Sequence, residues 1–185
     1  MDTEIPDPRS VDIAALARRG DCVSGSSSLA ELVRLSEEAH PDAKPGAEDF
    51  YRWQATGESR ATRGGGSETW LHLEADACLS LVCQRCLQPV VTALRVERSF
   101  RFVADEQQAL AVDAEIEEDV LVLSRTFDVT ELVEDECLLA LPLVPRHEVC
   151  PQPLTVAPDL VELEERTNPF EVLGELKLKR KPSPN

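Results

Sequence analysis

LHLEADACLSLVCQRCLQPVVTALRVERSFRF, residues 71–102, decides how the rest of the chain is read. Leu71, Leu73, Ala75, Ala77, Leu79 and Leu81 hold the odd positions, with His72, Glu74, Asp76 and Ser80 between them. A period of two marks a strand with one buried face. After Cys83-Gln84-Arg85-Cys86-Leu87-Gln88-Pro89 the apolar parity switches. Val90, Thr92, Leu94, Val96, Phe100 and Phe102 are even, and Arg95, Glu97, Ser99 and Arg101 alternate with them. The two runs read as an antiparallel hairpin. The expected fold class is α+β: an antiparallel sheet, barrel-like in one version, with helices packed on it and a Cys-x-x-Cys turn at the hairpin tip.

That turn carries two thiols, and Pro89 stiffens its exit. Zinc in closed structural sites takes four thiolate or imidazole ligands in a tetrahedron, so two more ligands have to come from elsewhere. The stretch LVPRHEVCP, residues 143–151, offers an imidazole and a thiol close together. Cys83, Cys86, His147 and Cys150 are therefore the candidate ligands, zinc is the candidate ion, and the site would dock the end of a helix onto the strand turn. Cys78 does not fit: five residues along a strand is roughly 17 Å, and its parity is that of the polar face. Cys137 lies in an apolar helical segment and reads as core, while Cys22 has no thiol near it in sequence. Two other readings stay open, a reduced pair without metal and a redox dithiol, although a redox Cys-x-x-Cys opens a helix and here a β-pattern follows Pro89. Leu87 stands where zinc knuckles often have glycine. A left-handed side chain there costs about 1–2 kcal/mol, which a bound metal would offset.

The chain has 185 residues, a formal net charge of −16 and a pI near 4.5. Its length suits one domain over 1–185. The acidity argues against broad coating of nucleic acid, which needs Lys and Arg to displace counterions, and favours a basic partner. No segment approaches the roughly 20 apolar residues that span a bilayer, and the N-terminus lacks a basic region followed by an apolar one. The expectation is a cytoplasmic protein with no membrane contact, whose six cysteines stay reduced.

Along the chain, residues 1–10 read as an extended lead-in. A helix runs from Val11 to a stop at Gly20, and a second is expected from Ser28 to Ala39. A loop over 40–49 precedes a strand at Tyr51, Trp53 and Ala55. Gly64-Gly65-Gly66 makes a turn but lacks the Gly-Lys-Ser/Thr of a phosphate loop. Residues 104–119 read as an acidic loop, and Val120 to Leu123 as a short strand. A helix then enters at Asp128, as cap, and runs to about Leu141, where Pro142 stops it. Residues 151–167 form a second acidic loop, and Asn168-Pro169-Phe170-Glu171 opens a C-terminal helix over 168–181. Glu134, Asp135 and Glu136 are either a solvated helix face or a docking patch for a basic partner. Lys177, Lys179, Arg180 and Lys181 reverse the charge at the end. They suit a helix C-terminus and are also the candidate RNA contact. No nucleophile is joined to a base, and His40, His72 and His147 are the only histidines. The chain reads as a non-enzyme.

Cys83-Gln84-Arg85-Cys86-Leu87-Gln88-Pro89, the run Glu131-Leu132-Val133-Glu134-Asp135-Glu136 followed by Leu139-Ala140-Leu141-Pro142-Leu143-Val144-Pro145-Arg146-His147, and Asn168-Pro169-Phe170-Glu171-Val172-Leu173 together resemble the YceD family. Its members are known as large ribosomal RNA subunit accumulation proteins, and the order and spacing match from Asp12 to Lys181. Many relatives carry a longer cysteine array after the Leu-Pro-x-x-Pro segment, whereas this chain keeps only His147 and Cys150. The resemblance implies a bacterial cytoplasmic factor for synthesis, processing or stability of large-subunit ribosomal RNA. Family genes often neighbour that of a small basic large-subunit ribosomal protein. Joined to the acidity, this implies a holder of a basic ribosomal protein or assembly intermediate, using Glu134, Asp135 and Glu136, with ribosomal RNA reached indirectly. The rival is direct RNA binding through the sheet, with Tyr51, Trp53 and Trp70 as stacking surfaces, and through the basic tail. Against it, tryptophan on a strand face is more often core. A nuclease would need clustered carboxylates holding metal ions.

Overall fold

The computed structural model describes residues 7–114 and 116–151. The elements are α1 (Ile13–Arg19), β1 (Cys22–Ser28), a single 3-10 turn (Leu29–Glu31), α2 (Val33–Glu37), β2 (Phe50–Ala61), β3 (Ser67–Val82), β4 (Pro89–Val103), α3 (Glu106–Asp113), β5 (Asp119–Val122) and α4 (Val129–Leu139). The expected C-terminal helix, the second acidic loop and the basic cluster Lys177, Lys179, Arg180 and Lys181 lie outside the described residues, as does most of the lead-in.

The hairpin is β3 and β4. Their antiparallel register runs without interruption from Thr69 opposite Phe102 to Val82 opposite Pro89. Odd residues of β3 face even residues of β4, so Leu71 meets Phe100, Ala75 meets Val96 and Ala77 meets Leu94. All six are buried, and the leucine, valine and phenylalanine side chains among them each stabilise the fold by about 1.5–3 kcal/mol when removed from water. The one break in parity is Arg98, which reaches Asp119 and lies 3.5 Å from Glu136.

Five strands stand in sequence order, β1-β2-β3-β4-β5. The first three pairings are antiparallel, but β5 pairs parallel with β4. The sheet is therefore mixed rather than antiparallel, and open rather than barrel-like. The physical reason is the connection through α3: a chain that crosses over before pairing again returns in the same direction. A closed barrel fills its interior with the sheet's own side chains, whereas here the inner face packs against Ile13 and Leu16 of α1, Leu29, Leu32 and Leu35 before β2, and Val129, Val133 and Cys137 of α4.

Two close approaches fix this packing. A Cβ at Gly57 would lie 2.6 Å from the Ala17 nitrogen, so α1 rests directly on β2. A Cβ at Gly25 would lie 2.9 Å from the Trp53 indole nitrogen, so the edge strand β1 crosses the ring only with a glycine there. Residues Cys22–Ser28 form this strand, and the helix expected from Ser28 to Ala39 is reduced to the 3-10 turn and the five residues of α2. Within the expected acidic loop, Asp105 accepts from the Gln108 N–H at 2.9 Å and caps α3, a helix with no buried residue. α4 starts as expected, with Asp128 accepting from the Glu131 N–H at 3.0 Å.

Candidate metal centre

The centre sits at the tip of the β3–β4 hairpin. The Cys83 N–H donates to the Gln88 carbonyl at 3.0 Å, and the Leu87 N–H donates back to the Cys83 carbonyl at 2.9 Å. Leu87 is left-handed, φ 58°, and among the described residues no other non-glycine has positive φ. The loop after α4 folds over this turn. The Gln84 N–H donates to the Pro145 carbonyl at 2.9 Å, and the Arg85 guanidinium donates to the carbonyls of His147 and of Glu148, the latter at 3.0 Å.

The result brings all four expected side chains together: the ligand atoms of Cys83, Cys86, His147 and Cys150 lie within 4.8 Å of one another. Cys83 Sγ is 4.0 Å from Cys150 Sγ, and Cys86 Sγ is 3.4 Å from His147 Nδ1. A tetrahedral zinc with bonds of about 2.3 Å to sulfur and 2.0 Å to nitrogen has ligand–ligand edges of about 3.5–3.8 Å, so the spacing fits one ion. The far nitrogen of His147, Nε2, lies 3.2 Å from the Pro89 carbonyl. A carbonyl only accepts, so Nε2 carries the proton and the Nδ1 lone pair points inward, the arrangement that orients metal-bound histidines.

Electrostatics agree with the geometry. Burial opposes ionisation of Cys83, but the N–H groups of Arg85, His147 and Cys86, with the Cys86 thiol, outweigh it and hold Cys83 down to about 5 from its ordinary 9.0. The His147 N–H points at this sulfur from 3.5 Å. Cys150 moves the other way, raised by burial and by its hydrogen bonds to Cys86 and Cys83. Cys83 thus ionises ahead of Cys150, and a divalent cation would draw off thiol protons that remain. The other cysteines stay apart: Cys22 and Cys78 are exposed and Cys137 is buried. Burial, then Glu136, raises Cys137 to about 11, as for an inert core thiol.

His40, which no motif marked, supports the turn from behind. It is buried, its own N–H donates to the Ser80 carbonyl at 2.7 Å, and its Nδ1 accepts from the Asp42 N–H at 3.1 Å. The remaining Nε2–H therefore donates to the Leu87 carbonyl at 3.1 Å. One neutral imidazole ties the left-handed residue of the turn to the segment after α2. The only signal available in the sequence was a histidine in a loop.

The acids of α4 look inward more than their sequence suggests. Glu134 accepts from the backbone N–H groups of Arg34 and Leu35 at 2.7 and 3.2 Å, and from the Arg34 side chain at 2.9 and 3.0 Å. Asp135 takes the other arm of Arg34 at 2.6 Å. Glu136 is buried near Arg98, and its carboxyl is raised mainly by burial. The aromatic residues expected to stack RNA are also committed: Tyr51, Trp53 and Trp70 are all buried. Trp70 lies under the Arg60 guanidinium at 4.1 Å and donates to Glu68 at 3.1 Å. They present no stacking face.

A family model described as Large ribosomal RNA subunit accumulation protein YceD matches residues 71–177, more than half of the chain and including all four clustered side chains. A protein of the same description from Haemophilus influenzae is 38% identical over 108 residues, covering 55% of this chain and 61% of that protein. The aligned region thus falls short of two thirds of the relative's length. No solved structure matches.

Proposed function

This chain belongs to the YceD family, and we propose on that premise that it supports accumulation of large-subunit ribosomal RNA as a binding factor of the bacterial cytoplasm. The observation that carries this is the family match, which begins at the core hairpin and includes the hairpin tip, α4 and the loop over the tip. The net charge of −16 supports a basic protein as its immediate partner, a large-subunit ribosomal protein or an assembly intermediate, with the RNA reached through it. Of Glu134, Asp135 and Glu136, it is Asp135 that keeps about half its side chain exposed and is able to reach such a partner. Glu134 and Glu136 serve the fold first. Direct RNA binding by the sheet has lost its stacking residues to the core and is the weaker reading.

In this reading Cys83, Cys86, His147 and Cys150 hold one zinc ion. Four protein ligands leave no open position for substrate, so the metal is structural and no catalytic step is involved. Its role is to clamp the loop after α4 onto the hairpin tip.

The test is depletion in cells, reading the ratio of large- to small-subunit ribosomal RNA, with rescue by the wild-type chain. A ratio that falls on depletion and recovers on rescue is expected, and an unchanged ratio rejects the function. A tagged pull-down split into nuclease-treated and untreated halves then separates the two partner classes. Basic ribosomal proteins that survive nuclease favour the protein holder, whereas partners that vanish with the RNA favour direct binding.

A further inference from the structure

The loop that closes the metal centre also builds the wall of an apolar groove. Pro142 ends α4, Pro145 is held by the Gln84 N–H, and the two prolines leave the intervening chain little freedom. Leu143, between them, is 101% exposed, and Leu139 on the last turn of α4 is 76% exposed. Val144 is exposed as well. Leucines fixed in water on a rigid frame, several together, mark an interaction surface rather than scattered surface residues. Between them lies a groove of about 540 Å³ whose walls include Leu81, Leu139, Leu141 and Leu143, with Gln84 and Glu38 at its polar edge.

Charge selects the occupant. Among the described residues, Glu38 is the one ionisable group lining the groove, and no lysine or arginine lines it. A phosphate backbone would meet a carboxylate and apolar walls with no cation to receive it. A second copy would bring another net charge of −16 against the first. A segment with leucine-sized side chains flanked by Lys or Arg meets both demands, burying its apolar residues against Leu139 and Leu143 and placing a cation on Glu38. We propose that this groove is the docking site for such a basic, apolar-anchored segment of a partner protein. The inference rests on the partner reading above and deepens it by naming the surface. It also links the surface to the metal centre, because the Leu143 wall stands where it does through the clamp on Pro145, His147 and Cys150.

The experiment uses the full-length chain in growing cells with p-benzoylphenylalanine in place of Leu143, photo-crosslinking, and sequencing of the crosslinked peptide. The expected product is a segment rich in Lys or Arg with large apolar residues. Its yield should fall about ten-fold when Leu139→Asp is added, as for the loss of a central apolar anchor, while the melting temperature stays unchanged because Leu139 is exposed. Crosslinking to RNA, to a second copy, to residues 152–185 of the same chain, or to nothing overturns the proposal, as does a yield indifferent to Leu139→Asp. If the crosslinked segment has the expected chemistry but comes from a protein outside the ribosome, the groove stands and the ribosomal partner fails. If the ribosomal RNA ratio responds to depletion but not to Leu139→Asp with Leu143→Asp, the function stands and the groove fails.

Discussion

Leu87 and His40 show how single residues set the candidate metal centre. Leu87 takes a left-handed conformation at a cost of about 1–2 kcal/mol, and its side chain is exposed, so it regains little by burial. Leu87→Gly should keep stability within about 1 kcal/mol of the parent and keep full zinc content, whereas Leu87→Ile, β-branched, should lose about 1 kcal/mol or more in urea unfolding. His40→Ala leaves the Leu87 carbonyl and the Asp42 N–H without their partner. It should cost about 1–3 kcal/mol and speed zinc transfer to a chelator by about ten-fold or more, the usual scale for groups behind metal ligands. An unchanged transfer rate at a temperature far below melting would remove His40 from the site. Cys83→Ser with Cys86→Ser should abolish zinc binding and lower the melting temperature by about 5 °C or more. Equal metal content and melting temperature in parent and variant would leave the clamp without a metal. The metal-free protein should also report the Cys83 thiolate. Its folded value is depressed to about 5 from 9.0, so the folded state binds fewer protons between those values and stability rises with pH across that window. The gain is complete above 9.0 and absent below about 5, and a melting temperature flat over this range would contradict the ionised thiol. That four side chains meet here was legible from cysteine spacing and a nearby His-x-x-Cys. His40 was not, because nothing local links a loop histidine to a carbonyl in a hairpin turn.

At the scale of elements, Gly57 is the most demanding contact. The backbone of α1 sits where its Cβ would be, 2.6 Å from the Ala17 nitrogen, so no flexible side chain can give way. Gly57→Ala should cost about 1–3 kcal/mol, the range for overpacking, and should do so by displacing α1 from β2. A stability equal to the parent's would mean that α1 is held loosely. The hairpin was readable because a half-buried strand writes its period of two into leucine and charge. β1 was not, since Cys-Val-Ser-Gly-Ser-Ser-Ser has almost no apolar side to show, and its glycine is there to clear the Trp53 ring. α3 was missed for the complementary reason: it buries nothing, so its residues carry no stripe and only the Asp105 cap betrays it. β5 was expected as a strand, yet its parallel direction depends on the crossover, which no local pattern records. α2 starts at Val33 rather than Ser28, where Glu134 from α4 accepts from its first N–H groups, a contact between distant segments that no local pattern records.

For the whole molecule, the proposed partner and groove imply that charge and apolar surface divide the work of finding and keeping that partner. A net charge of −16 attracts a basic protein over distances of a Debye length, about 10 Å at 0.1 M salt. Attraction of this kind acts mainly on the rate of encounter. The groove between Leu139 and Leu143 acts after contact, and burial there governs the rate of escape. The two terms are separable. Raising salt from 50 to 300 mM should slow association with the basic partner by about ten-fold or more while dissociation changes little. Leu139→Asp, read in the same surface-binding assay, should do the reverse, hastening dissociation about ten-fold and leaving association nearly unchanged. An association rate indifferent to salt would deny the acidity a part in the encounter. Salt-sensitive dissociation that Leu139→Asp does not alter would place the lasting contact on charged residues such as Asp135, away from the groove.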